Sequence, residues 1–397
     1  MGVLFALALV VESGTALLGL RDMRIPLAHL GVYFDGHLYL EIAKSFPLPY
    51  AAEGPEYLGQ APGFSACIYL ARLLSFGLIN WGLLAILCAW IPGALAALVF
   101  YLLCKEVAAP PFWGGVLFVL GHPIWMTRAA TAHSEPLAAV FIMLCFLAYL
   151  RGSIGYSVVW LSIAALIRFP AILVGLPLAF GVLVQRRGLN LRNLALLSVP
   201  LGCFGLFNLY MYLRVPGFAG VMEAHSFWWD TSWTWPFSAL LEAISYWRYT
   251  GSLVFAVTCA STLFYLTTMF VGFRPSERER WFLPLWVAAI VLFHASLSGF
   301  TGAMGFGRLT ILAWPAALLI VWRAVGPLLP RFAVPALCVA VGAFGLRYAS
   351  HQITGALYIQ RATQPFLRET IERLDSDQPY WVDFRASSSQ TQSRGTH

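Results

Sequence analysis

Apolar residues along this chain come in long unbroken runs, neither striped as in an amphipathic helix nor alternating as in a strand. Such runs stand near residues 1–20, 81–104, 112–127, 134–150, 193–214, 251–273, 282–299, 308–325 and 332–347. Crossing a hydrocarbon core as a helix takes about 20 apolar residues. Lipid gives the backbone no hydrogen-bond partners, so runs of this length must be helical, and the weak alternation of barrel strands is missing. A further run, 156–184, is too long for one ordinary span and is broken by Arg168, Phe169 and Pro170. Proline disfavours helix at the residue before it. This run therefore predicts two short helices, 156–167 and 170–184, meeting at Arg168. The expectation is an all-α polytopic membrane protein, with a transmembrane bundle of about 11 helices.

The polar stretches give the domain plan. A transmembrane domain is expected over 1–347, with a long first outer loop at 21–80 and a second at 215–250. Residues 348–397 are expected to form a tail on the same outer side, with a disordered Ser- and Gln-rich end. The moderately apolar segment 64–80, carrying Arg72, suits either an interfacial helix or a short span, and a span there would move the first loop or change the count. No internal repeat is visible, which weakens an inverted-repeat transporter reading.

Composition agrees with this plan. Only 11% of the 397 residues are charged and 59% are hydrophobic, where a soluble domain carries about 25% charged residues. The formal charge of +7 does not signal nucleic acid, because the basic residues sit in short loops between apolar runs. Lys105, Arg151, Arg186, Arg187, Arg192, Arg274, Arg278, Arg280, Arg323 and Arg331 fall on one side, beside Glu106, Glu277 and Glu279. The positive-inside rule makes that side cytoplasmic. Arg21 and Arg24, on the outer side of the first span, fit this badly. The seven cysteines lack CxxC or metal spacing and read as small packing residues. The first stretch lacks a basic n-region and a small-residue cleavage site, so no cleaved signal peptide is expected.

The candidate chemistry lies in the outer loops. The first reads Val32-Tyr33-Phe34-Asp35-Gly36-His37-Leu38-Tyr39-Leu40-Glu41-Ile42-Ala43-Lys44, and later Ala61-Pro62-Gly63-Phe64. Asp35 precedes a short helical pattern (Leu38, Ile42), so as N-cap it would be held at the membrane face. The fourth run opens with His133-Ser134-Glu135-Pro136-Leu137, and the interrupted run carries Leu166-Ile167-Arg168-Phe169-Pro170.

Together these segments resemble the PIG-V type GPI mannosyltransferases, of the GT-C class of multi-spanning, lipid-sugar-dependent glycosyltransferases. Phe34-Asp35, Tyr39, Ile42-Ala43 and Ala61-Pro62-Gly63-Phe64 match the family's first luminal loop, although Ser45-Phe46-Pro47 replaces its usual Gly-Tyr. Ser134-Glu135 with Leu137 resembles its Ser-Glu-x-Leu-Phe signature, and Arg168 its arginine at a helix break. The matches cover the first 185 residues; beyond them only hydropathy and loop layout agree. The resemblance implies a GT-C-like bundle that takes a sugar, mannose above others, from a polyprenyl-phosphate carrier. It would pass the sugar with inversion to a hydroxyl of a lipid or glycan acceptor. It further implies an active site facing periplasm or lumen, with an Asp of the first loop as base; a bacterial inner membrane is expected ahead of the endoplasmic reticulum. A hydroxyl attacking an anomeric carbon needs a carboxylate to take its proton, which assigns Asp35. The departing phosphate needs cationic donors, for which Arg168, His133, Arg308 and Arg128 are the outer-side candidates. His37, Glu41, Ser134, Glu135, Trp228 and Trp229 are candidates for touching substrate.

Each assignment has a plainer alternative. Asp35 and Ser134-Glu135 would merely cap helices, Arg128 would snorkel to the interface, and Arg168 would pair structurally with an acid such as Glu135. Arg308, approached through Gly302, Gly305 and Gly307, would be an ordinary loop arginine. Trp228, Trp229, Trp233 and Trp235 would form an interfacial belt. Glu12, inside the first span, is expected to face the bundle interior and hydrogen-bond there. Asp230 and Glu223 are compatible with a divalent metal, but no spacing demands one. The rival function is a transporter or flippase of a lipid-linked sugar or anionic solute, which would place its charges near the midplane. A third, a protein- or oligosaccharide-directed transferase of the same class, fits less well without a large soluble domain.

Overall fold

A computed structural model describes residues 1–21, 23, 25–46, 61–184, 191–214, 218, 220, 232–274, 277, 280–298, 310–363 and 371–376. Helix α1 (Gly2–Leu20) is followed by three short helices of the first loop, α2 (Leu27–Leu30), α3 (Gly36–Lys44) and α4 (Pro62–Leu74). The long α5 (Trp81–Glu106) leads to α6 (Pro111–Leu120), α7 (Pro123–Ala130), α8 (Glu135–Leu150) and α9 (Ile154–Ile167). A 3-10 segment (Phe169–Val174) connects to α10 (Gly175–Val184) and α11 (Leu191–Arg214). The remainder comprises α12 (Ser238–Thr250), α13 (Leu253–Gly272), α14 (Phe282–Ala295), a 3-10 turn (Thr310–Ala313), α15 (Trp314–Val325) and α16 (Ala333–Thr363). A two-residue antiparallel pairing joins Ser232–Trp233 to Leu297–Ser298.

Among the described residues, six helices are long and apolar enough to cross a bilayer, or seven if α7 and α8, bent by 113°, make one span. The other expected spans are shorter apolar helices. At about 1.5 Å per residue, the 14 residues of α9 or α14 fall short of the hydrocarbon core. Pro123 ends the expected 112–127 helix early, splitting it into α6 and α7. The break at Arg168 is as expected: its backbone is extended (φ −146°, ψ 111°) between α9 and the 3-10 segment. Segment 62–74 is a 13-residue helix and too short to span. Glu12 faces inward against Gly93 of α5, but neither carboxyl oxygen has a hydrogen-bond partner among the described residues.

The buried residues form two main bodies. One fills the bundle around α5, α6, α8, α14 and α15. The other belongs to the first loop, where Val32, Tyr33, Tyr39, Phe64 and Ile68 pack against Trp81 and Trp90 of α5 and Ile353 and Leu357 of α16. Burying each large apolar side chain away from water contributes about 2 kcal/mol, so this loop is a folded layer rather than a tether. Close backbone approach secures it: a Cβ at Gly31 would collide with the Gly82 carbonyl, and one at Gly82 with that of Ala28. Asn80 starts α5 by accepting from the Gly82 amide at 2.9 Å.

The chain after 347 contributes to this layer. Helix α16 continues without interruption from Ala333 to Thr363, and Thr354 donates to the Gly19 carbonyl of α1 at 2.9 Å. Leu374 is buried beside Trp81, and Lys44 donates to the Arg373 carbonyl at 3.0 Å. The Ser- and Gln-rich end lies outside the described residues.

Candidate active site

Asp35 occupies the N-cap position of α3, as expected, but its side chain makes no capping hydrogen bond. The reason is the turn leading into it. Phe34 has φ 60°, the left-handed region that a bulky residue rarely adopts. This turns the chain so that the Gly36 amide bonds Tyr33 O at 3.0 Å and the His37 amide bonds Val32 O at 2.8 Å. A residue held there costs about 1–3 kcal/mol and persists only when its surroundings fix it. Three contacts do so: Gln360 Oε1 accepts the Phe34 amide at 2.8 Å, the His133 ring lies 5.2 Å away, and the Arg128 guanidinium lies 5.5 Å over the ring. Asp35 itself is half-buried.

The segments singled out in the sequence meet around this turn. Tyr39, one turn along α3, pairs its hydroxyl with Ser134 Oγ at 2.9 Å and sets its ring edge-on to Phe64 at 4.9 Å. Ser134 therefore does not cap α8; its hydroxyl is engaged by the first loop, and no side-chain cap bond forms. Gly63 packs on Ile167, where any larger residue would collide, which sets the start of α4 against the end of α9. Arg168 reaches Glu135 at 2.6 Å, with side-chain exposures of 12% and 1%. This is the structural pairing anticipated for Arg168.

A second cationic group, Arg128, stands over the Phe34 ring. Arg128 contacts His133 Nε2. Thr131 Oγ1 lies 2.7 Å from His133 Nδ1 and donates its one proton to the Thr127 carbonyl at 2.7 Å. It must then accept from Nδ1, which assigns the proton to Nδ1 and leaves Nε2 to accept from Arg128. His133 therefore orients Arg128. Arg128 borders a recess of about 370 Å³ lined also by Phe34, Thr127, Thr258, Tyr348 and Gln352. Anion-binding donors and an open volume thus adjoin the Asp35 turn.

Two expected substrate contacts are buried. His37 is buried, which pushes its pKa down to about 4 against the opposing pull of the Asp35 charge. Glu41 is buried in an ion pair with Lys44 at 3.5 Å, inside the loop layer. Both therefore lie among the side chains of the loop layer.

No protein-family model matches the chain, and no curated protein matches it by sequence. Among solved structures it is similar to ArnT from Cupriavidus metallidurans bound to undecaprenyl phosphate, with 17% identity and a TM-score of 0.50. That alignment covers 96% of this chain and 75% of ArnT. The apo state of the same protein aligns with 19% identity and a TM-score of 0.50, over 84% of this chain and 61% of ArnT. ArnT is a GT-C glycosyltransferase. The chain has the ArnT-like GT-C fold. An integral, multi-pass membrane protein follows from that fold and from the apolar helices.

Within this GT-C fold, the first loop, the α7–α8 corner and the α9 break form one end of the bundle. Arg308, Trp228 and Trp229 lie outside the described residues, as do Glu223 and Asp230. The sequence reading missed Tyr348, Gln352 and Gln360, which approach the site from α16. Their signal is in the sequence: Tyr348 and Gln352 stand four residues apart, on one helix face, just beyond the apolar run 332–347.

Proposed function

We propose that the chain is an inverting glycosyltransferase that moves a sugar from a polyprenyl-phosphate carrier to an acceptor hydroxyl. The observation that carries this reading is the convergence of Asp35, the Arg128–His133 pair and the Arg168–Glu135 pair at one end of a GT-C-fold bundle. The undecaprenyl phosphate bound by ArnT supports a carrier of that class. Mannose, and kinship with the PIG-V type enzymes, rest on the first-loop pattern.

Asp35 takes the proton of the acceptor hydroxyl as oxygen attacks the anomeric carbon and the carrier phosphate leaves from the opposite face. Its place at the start of α3, half-buried beside the recess that Phe34 and Arg128 border, supports this role. Arg128, oriented by His133, and Arg168 stabilise the charge gathering on the phosphate. The acceptor is a lipid or glycan hydroxyl at the extracytoplasmic face, toward periplasm or lumen, and a bacterial inner membrane suits the carrier. A transporter would keep its charges near the midplane, whereas these gather at the ends of helices.

Asp35→Asn tests the proposal. Turnover should fall about 10²–10⁴-fold, the scale of losing a general base, with the melting temperature little changed because Asn keeps the size and most of the hydrogen bonding of Asp. The measurement is radiolabelled sugar transfer from polyprenyl-phosphate mannose, and from carriers bearing other sugars, by membranes with equal amounts of each protein. Near-normal transfer by the Asn variant would remove Asp35 from the chemistry.

A further inference from the structure

A second recess of about 380 Å³ lies between the ends of α13, α14 and α15, at the far end of the bundle from Asp35. The separation follows from α13 itself: Val254 borders the recess beside Arg128 and Val271 borders this one. At 1.5 Å per residue they stand about 26 Å apart.

Its polar wall is Arg274, Arg280, Arg323 and Glu277, and its apolar wall includes Val271 and Leu319. Arg323 grips Glu277 with both nitrogens, one at 2.7 Å from Oε1 and the other against Oε2. Arg280 stands 3.9 Å from Oε2, outside hydrogen-bond reach. Arg274 is fixed through its backbone, whose carbonyl accepts from Trp281 Nε1 at 2.9 Å. Among the described residues, three guanidinium groups thus face one carboxylate, a surplus of two positive charges beside an apolar wall. Beside the recess, Phe270 and Val271 expose apolar surface of the kind that faces acyl chains.

We propose that this recess binds the phosphodiester headgroup of an anionic phospholipid from the adjoining leaflet. Guanidinium forks match phosphate oxygens geometrically, and basic pockets between transmembrane helices are suited to anionic headgroups. Arg274 and Arg280 meet the phosphate, Arg323 and Glu277 form its rigid floor, and the acyl chains run along α13. The apolar wall selects a lipid over a free anion. The site is independent of the transfer reaction and is read by binding alone.

The test follows the melting temperature of detergent-purified, delipidated full-length protein titrated with phosphatidylglycerol, phosphatidylcholine or inorganic phosphate. Phosphatidylglycerol should raise it saturably, and the other two should not. Arg274→Gln with Arg280→Gln should need at least about tenfold more phosphatidylglycerol for the half-maximal rise, the scale of losing charge-assisted contacts. Its melting temperature in phosphatidylcholine should match the parent. Should the double variant not fold, Arg280→Gln alone carries the test with the same expectation. An equal rise with phosphatidylcholine, an equal rise with inorganic phosphate, or an undiminished response in the variant would each overturn the proposal.

Discussion

The bundle carries an arginine–glutamate pair at each end, and the two differ in how much water reaches them. Arg168–Glu135 is closed off, with side-chain exposures of 12% and 1% and a contact at 2.6 Å. Arg323–Glu277 makes two contacts at 27% and 19% exposure. Removing both charges of a pair from water costs several kcal/mol per ion, and attraction does not reliably repay it. A solvated pair avoids that cost and contributes little. The closed pair is thus the expensive one, and it stands beside Tyr39–Ser134 and the Asp35 turn, where the proposed chemistry needs fixed charge. The open pair stands where arginines are plentiful and any carboxylate lowers repulsion.

The strongest way to break this comparison is to unpair the closed end. Arg168→Met leaves Glu135 buried and unneutralised, which should cost about 3–5 kcal/mol of stability. Adding Glu135→Gln should restore most of it. Titration with undecaprenyl phosphate then separates the two roles of Arg168. A phosphate-holding arginine leaves the repaired double variant stable yet weak in carrier binding. A double variant with parental stability and parental carrier binding would make the pair structural only.

The helix break at Arg168 was legible because a charge and a proline inside an apolar run both oppose continuous helix. The Asp35 turn was legible as a position but not as a conformation. Nothing in the residue types of Phe34-Asp35 indicates that Phe34 takes φ 60° or that Asp35 forgoes its cap, since tertiary contacts from Arg128, His133 and Gln360 impose both. Helix count was the least legible feature. Hydropathy reports a preference for apolar surroundings, and α9 and α14 pack their apolar residues inside the bundle while being shorter than a full span. Tyr348 and Gln352 went unnoticed because α16 carries polar residues past its apolar stretch, where side-chain type alone suggests a tail.

Acid should weaken the site end first. Burial holds His37 at about 4, below its ordinary 6.5. The unfolded chain then binds a proton between those values that the folded chain refuses, so stability falls as pH falls through that window. Between pH 7.5 and pH 5 the loss should be about 2 kcal/mol. His37→Gln should flatten that stretch of the melting-temperature profile. A variant profile as steep as the parent's would assign the acid sensitivity to other groups.

The smallest effect is expected at the open end. The two contacts from Arg323 hold the Glu277 carboxyl below its ordinary 4.5, with Arg280 and Arg274 adding to the pull and partial burial opposing it. A depressed carboxylate contributes stability that is complete above its unfolded value and is lost as pH falls through the folded one. Glu277→Gln should therefore cost a roughly constant amount from neutral pH down to 4.5, and progressively less below that. Because water reaches the pair, that amount should be about 0.2–1 kcal/mol, shrinking further in high salt. Thermal melts of parent and variant at pH 7 and pH 4, in low and high salt, measure it. A Glu277→Gln loss as large as that of Arg168→Met, and insensitive to salt, would mean that the far pair is as closed to water as the near one. The contrast between the two ends would then no longer mark out the site.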